Sequence, residues 1–238
     1  MIKLYKLTIT PFQQNCRLLV NEEGDLAIFD PGGDFKILKS LIDTLNIKSF
    51  KIFATHSHID HIGAVADLIE FGVSKFGSEP EFYSSPGESE LRKLVKMQCE
   101  YFGLPSEQYK NCPEPSSYLV GGESISILNQ TVDVLSVPGH SPDHLAFLFK
   151  NVSESVIIHD NSYVEEHSIS LHSDFIISGD VIFKDSIGRT DLPGGNHEVL
   201  MRSIESKILT LADEVIICPG HGPDTNIGRE KKFNPFIR

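Results

Sequence analysis

Four short segments constrain this chain more than anything else in it: ATHSHIDH (54–61), VPGHSPDH (137–144), SGD (178–180) and CPGHG (218–222). Each follows a run of alternating or β-branched apolar residues, and each closes in histidine or aspartate beside glycine or proline. A strand end is a rigid platform, because the sheet fixes the backbone while the following loop turns its side chains inward. The fold must therefore bring four strand ends to one pocket.

Alternation and β-branched content predict strands over 2–9, 15–20 and 25–29, then in KSFKIFATH, TVDVLSVPGH, HLAFLFK, SDFIISGD and ADEVIICPGH. Helical spacing appears after Gly33 (Phe35, Leu38, Leu41, Ile42, Leu45), from Ile62 to Phe71, in ESELRKLVKMQCEYF, and from His197 to Leu211. Several strands precede the first helix and the rest interleave with helices, which implies layered sheets flanked by helices in an α/β (α+β) class. A helix bundle and a β-barrel are excluded. No linker, charge run or repeat marks a boundary, so one domain over 1–238 is expected.

Composition narrows the chemistry. A net charge of -12 disfavours nucleic acid, which needs a basic face to displace counterions. No apolar run approaches the roughly 20 residues of a membrane span, and MIKLYKLTIT lacks the apolar core and cleavage site of a secretory leader. The expected location is the cytoplasm, and the four widely spaced cysteines are expected as free thiols.

The histidine cluster can then be weighed. A chain with 10 histidines in 238 residues shows H-x-H-x-D-H, a pattern expected by chance in about one such chain in a thousand. In extended backbone His56 and His58 point to the same side, where they can share one ion. Asp60 and His61 lie past the bend and can face a second. Neither set is complete by itself, because a catalytic divalent ion takes about four to six ligands with one position open. The other strand ends offer the rest: His140 for the first ion, His221 for the second, and Asp180 with two carboxylate oxygens to bridge them.

The run FDPGGD, THSHIDHIGA, PGHSPDH, SGDVIF, IGRTDLPGG and CPGHGPDTNIGREKKFNPF resembles the metallo-β-lactamase superfamily, and within it the single-domain glyoxalase II-like (hydroxyacylglutathione hydrolase-like) hydrolases. The resemblance implies a four-layer αββα sandwich with the metals at one edge of the sheets. His56, His58 and His140 would hold one ion, Asp60, His61 and His221 the other, with Asp180 between them and Asp30 supporting the loops without binding metal. It further implies two divalent ions, zinc first with iron or manganese compatible, and attack of a metal-bridging hydroxide on a thioester such as S-lactoylglutathione. Asp60 and Asp180 are the expected catalytic groups. The commonest zinc β-lactamases lack a histidine after the aspartate, carry cysteine at the position of Asp180 and are exported, three differences that point away from antibiotics. A persulfide dioxygenase, which shares a GRTD-type loop and would hold one non-haem iron through His56, His140 and Asp180, is the alternative.

Arg189 and His144 are the expected substrate-binding residues. Arg189 can grip a carboxylate or pair with Asp191, and His144 can lie beside the site or be buried as it opens the next strand. His197 reads as a surface residue, and Asp143 stands where the resembling enzymes usually have glycine. Residues 151–173 exceed the family's short turn and read as an inserted hairpin able to reach the pocket, with His159, His167 and His172 solvated rather than a third metal site. Only about seventeen residues follow His221, so no C-terminal helical glutathione-binding domain is expected.

Overall fold

Alternation in the strands sorts side chains into three apolar layers. The computed structural model of the chain describes residues 2–150, 156–160, 169–171 and 174–237, the two short internal stretches by backbone alone. Its strands are β1 (Ile2–Ile9), β2 (Gln14–Val20), β3 (Asp25–Phe29), β4 (Ser49–Phe53), β5 (Phe82–Ser84), β6 (Ser117–Tyr118), β7 (Ser124–Ile127), β8 (Gln130–Ser136), β9 (Leu145–Phe149), β10 (Val156–Asp160), β11 (Ile169–Leu171), β12 (Phe175–Gly179), β13 (Ile182–Phe183), β14 (Ser186–Ile187), β15 (Ile216–Pro219) and β16 (Thr225–Asn226). The helices are α1 (Phe35–Thr44), α2 (Ile59–Ile62), α3 (Val65–Phe76), α4 (Ser89–Lys93), α5 (Val95–Phe102), α6 (His197–Ser203) and α7 (Ile227–Phe233).

One mixed sheet runs β11-β10-β1-β2-β3-β4-β5-β6 and the second runs β16-β15-β12-β9-β8-β7. On β2 and β3, Cys16, Leu18, Leu26 and Ile28 face α1 and α3, whereas Leu19, Ala27 and Phe29 face the second sheet. On β9 and β12, Phe147, Phe149, Phe175 and Ile177 fill the space between the sheets, while Ala146, Leu148 and Ile176 meet α6 and α7. The layers are therefore helix, sheet, sheet, helix, the αββα sandwich expected. The middle layer is dense with rings: Phe29 stacks on Phe53 at 5.0 Å and meets Phe147 edge-on at 5.2 Å, and Phe149 stacks on Phe175 at 4.5 Å.

Where helix boundaries differ from expectation, local geometry explains the difference. The 88–102 stretch is two helices, because Leu94 leaves the helical region at φ -98°, ψ 25°. The run after His197 continues from α6 as a π turn, Ile204–Ile208. Within 151–173 the described strands β10 and β11 pair antiparallel, Ile157 opposite Ser170, and β10 also pairs in parallel with β1, Ile158 opposite Leu4. His167 and His172 lie outside the described residues, and only the backbone of His159 is described. Among the described residues no helix is long and apolar enough to cross a membrane, and all four cysteines are free.

The ends of β4, β8, β12 and β15 meet at one edge. Leu145 N–H donates to the Thr55 carbonyl at 2.8 Å across the two sheets, and Gly220 N–H donates to the Gly179 carbonyl at 2.9 Å within the second.

Candidate metal centre

At that edge three imidazole nitrogens converge. His58 Nδ1 lies 3.0 Å from His56 Nε2 and 2.9 Å from His140 Nε2, and the latter two are 3.2 Å apart. The outer nitrogens of His56 and His140 are already committed, while that of His58 is buried without a hydrogen bond. His140 Nδ1 donates to the Arg189 carbonyl at 2.8 Å. Thr55 Oγ1 spends its proton on Asp30 Oδ2, so at 3.0 Å it accepts from His56 Nδ1. Both Nε2 atoms are thus bare lone pairs turned toward His58 Nδ1, whose one available proton cannot fully serve both at once. Zinc ligands at 2.0–2.1 Å in a tetrahedron stand about 3.3 Å apart, so the donor set fits a cation.

The second group is built around carboxylates. His221 Nε2 lies 3.2 Å from Asp60 Oδ2 and 3.4 Å from Asp180 Oδ2, while His61 Nε2 lies 3.4 Å from Asp180 Oδ1 and 3.9 Å from Asp60 Oδ2. Asp180 Oδ2 also comes within 3.6 Å of His140 Nε2. The Asp180 carboxylate therefore stands between the two triads. His221 Nδ1 donates to the Phe12 carbonyl at 3.1 Å, which fixes the tautomer that turns Nε2 inward. His61 Nδ1 is held from behind by Asp30 Oδ2 at 3.0 Å, while His61 Nε2 and Asp180 Oδ1 face each other across 3.4 Å, buried without a hydrogen bond, which is the second mark of a cation site. Every one of the seven residues expected as ligands reaches this edge, in the groups His56–His58–His140, His56–His61–Asp180 and Asp60–His61–His221.

The electrostatics split the two halves. Burial, reinforced by the other imidazoles, holds His56 well below its ordinary pKa and pushes His58 down to about 3. Against burial, which acts the other way, Asp180 and Asp60 lift His221 to about 10, and Asp180, Asp30 and Asp60 lift His61. Burial opposes ionisation of Asp180, but His61 and His221 hold its carboxyl well below the usual range. One triad is neutral and the other is a network of charges.

Three supports hold the loops. Asp30 accepts from Thr55 N at 2.7 Å and Thr55 Oγ1 at 2.8 Å, and does so from a left-handed backbone, φ 53°. Glu88, fully buried, accepts from Ser57 N and Asp143 N, both at 2.9 Å, and so ties the His56–His61 loop to the His140–His144 loop. Gln98 accepts from Ile59 N at 2.9 Å and donates to the Ser57 carbonyl at 3.0 Å. Sequence reasoning missed Glu88 and Gln98, which sit in a segment readable only as helical. Gly220 completes the cradle: a Cβ there would lie 2.1 Å from Asp180 Oδ1 and 2.8 Å from His61 Cε1.

His144 does not reach the cavity, which corrects its assignment to substrate binding. It is fully buried, stacks on His56 at 4.7 Å, and accepts from Asp180 N–H at 3.1 Å. Its closeness to His140 in sequence placed it near the site, but the turn into β9 points it behind the metal residues. Arg189 lines the cavity and its fork engages Asp191 at 2.7 and 2.8 Å. Asp143 uses its side chain to accept from Gly87 N at 2.8 Å, so this turn is tied to the segment carrying Glu88. His197 is exposed at the start of α6. The cavity over the two triads measures about 330 Å³, with Phe12, Phe102, Phe183 and Ile187 on its walls.

Residues 9–221 match the family model of the metallo-beta-lactamase superfamily. The hydroxyacylglutathione hydrolase GloC of Haemophilus influenzae is 34% identical over 233 residues, which cover 97% of this chain and 96% of that protein. Among solved structures, BLEG-1, a B3 metallo-beta-lactamase, superposes with a TM-score of 0.79 at 31% identity over 100% of this chain and 99% of its own. TTHA1623, solved in a di-iron-bound form, gives 0.74 at 32% identity over 97% and 98%.

Proposed function

The chain belongs to the metallo-β-lactamase superfamily, and from that premise we propose that it is a two-metal hydrolase that cleaves the acyl–sulfur bond of a thioester. The observation that carries the reading is Asp180, whose oxygens lie 3.4 Å from His61 and His221 and 3.6 Å from His140, between two complete triads. His56, His58 and His140 would hold one divalent ion, Asp60, His61 and His221 the other, with Asp180 shared. We assign zinc first; mixed imidazole and carboxylate donors also accept iron or manganese, and the di-iron neighbour supports iron as the alternative. Such a pair supplies an acidified water and a Lewis acid for the carbonyl oxygen.

The side chains do the rest. Asp60, held ionised and turned toward the cavity, is placed to take a proton from the attacking water on the carboxylate oxygen that would not hold the ion, and to return it toward the departing sulfur. His140 and His221 are locked by the Arg189 and Phe12 carbonyls, so their inward nitrogens need no reorganisation. The thioester follows from the GloC relative, and the cytoplasmic, small-molecule setting expected from the sequence suits it.

Elemental analysis of protein purified without added metal, with S-lactoylglutathione, a chromogenic cephalosporin and glutathione persulfide assayed on the same sample, tests the reading. About two ions per chain with thioester turnover are expected. Asp180→Ala and Asp60→Ala should each lower kcat by at least about 100-fold, on the scale of losing a group that stabilises developing charge, and Asp180→Ala should also lower metal content. A single iron with oxygen uptake on the persulfide, or cephalosporin hydrolysis alone, overturns it.

A further inference from the structure

Helix α5 has two apolar faces where one is needed. Val95 and Cys99 are fully buried in the core that the first sheet and its helices share. On the other side Leu94, Met97 and Tyr101 recur at helical spacing and stand 36%, 55% and 71% exposed. A second apolar stripe on a surface helix calls for an occupant. With Leu91, Leu192 and Pro193 these side chains line a cavity of about 170 Å³. Of its polar members, Gln98 is already spent on Ile59 N and the Ser57 and Leu91 carbonyls, and His58 turns Nδ1 to the metal centre.

This annex adjoins the metal centre. His58, Phe102 and Leu192 line both it and the larger cavity over the triads. Among the described residues lining the two cavities, Arg189 is the one cationic side chain other than histidine, and Asp191 holds its fork. The walls thus offer little to a thiol carrying several carboxylates, and much to carbon.

Resting on the thioester reading, we propose that the annex is a specificity subsite for an apolar group of about six carbons on the substrate, a volume judged from the roughly 150 Å³ apolar cavity that takes a benzene ring. In the reaction the water oxygen forms the new C–O bond as the C–S bond breaks. Sulfur leaves with the electron pair and ends protonated, giving a carboxylic acid and a thiol. Either product half can carry the apolar group, and the test tells them apart.

Two homologous series are compared on the metal-loaded enzyme: acetyl to octanoyl esters of one short uncharged thiol, and acetyl esters of ethanethiol to octanethiol. In one series kcat/KM should rise by about fourfold per methylene, the worth of a buried CH₂, and level off near six carbons. The series that rises identifies the acyl or the thiol side. Met97→Glu should flatten that rise, while Val73→Glu, on the exposed side of α3, should leave it intact. A binding arm is independent of turnover: the Met97 methyl, one of three methionine methyls, should shift in NMR spectra on adding hexanoate or hexanethiol but not acetate or ethanethiol. Two flat series with a silent Met97 methyl overturn the subsite. No thioester turnover with a shifting Met97 methyl overturns the reaction and upholds the subsite.

Discussion

The charge state of His221 has a measurable consequence. A ligand imidazole must be neutral, so metal binding expels any proton the site holds. In the metal-free protein Asp180 and Asp60 outweigh burial and lift His221 to about 10, with His61 raised in the same way, so both carry a proton at pH 7. His56 and His58 are lowered and carry none. The sign follows: filling the carboxylate triad releases protons at pH 7, and filling the histidine triad does not. Calorimetric titration of the metal-free protein in two buffers of different ionisation enthalpy should show about one to two protons released per chain, and fewer in His221→Ala. Buffer-independent heats would mean that His221 and His61 are neutral before metal arrives. The same values bear on folding. The raised His221 contributes stability that is fully present below about pH 6.5 and is lost as pH rises through about 10. The lowered His58 works oppositely, costing stability as pH falls from about 6.5 toward 3.

At the scale of the element, the site is a set of strand ends whose loops need holding in register. Glu88 does this for two of them, meeting Ser57 N–H with one oxygen and Asp143 N–H with the other. Glu88→Gln keeps the shape but sets an NH₂ against one of those donors, leaving it buried and unmet. Metal affinity should fall by about 10- to 100-fold, as for other groups that orient ligands from behind, while circular dichroism stays unchanged. Competition with a chromogenic chelator measures it, and unchanged affinity would make Glu88 a packing residue only. This buried carboxylate also marks where sequence reading stops. The seven residues predicted as ligands were readable because they gather in four short segments that follow strands, and β1 to β4 because their runs are alternating or β-branched. Glu88 and Gln98 lie in ESELRKLVKMQCEYF, where helical spacing describes the backbone but cannot say which polar side chain turns inward. The break at Leu94 was hidden for a related reason: leucine favours helix, and tertiary packing overrides that preference. His144 was misplaced because four residues of sequence do not reveal on which side of a turn a side chain emerges.

At the scale of the molecule, the seven residues predicted to hold metal divide between the two sheets. His56, His58, Asp60 and His61 follow β4 in the first sheet, whereas His140, Asp180 and His221 follow β8, β12 and β15 in the second. Ions bound there would clamp the sheets together at one edge, and the aromatic layer between the sheets holds them through the middle. The two devices are separable. The middle layer buries Phe29, Phe53, Phe147, Phe149 and Phe175 almost completely. The edge buries converging lone pairs and paired charges, which repel or need compensation until cations arrive. Chelation should therefore loosen the edge and spare the sandwich. Free metal at a thousandfold excess over its dissociation constant stabilises by about 4 kcal/mol, and for a chain of this size each kcal/mol moves Tm by about 2–4 °C. Removing the metal should then lower Tm by roughly 8–16 °C, with far-UV circular dichroism retained and amide exchange quickened in the loops after β4, β8, β12 and β15. An unchanged Tm would mean that the ions, if bound, are not coupled to the packing of the two sheets. Loss of the far-UV signal would mean that the aromatic layer cannot hold the sheets without them.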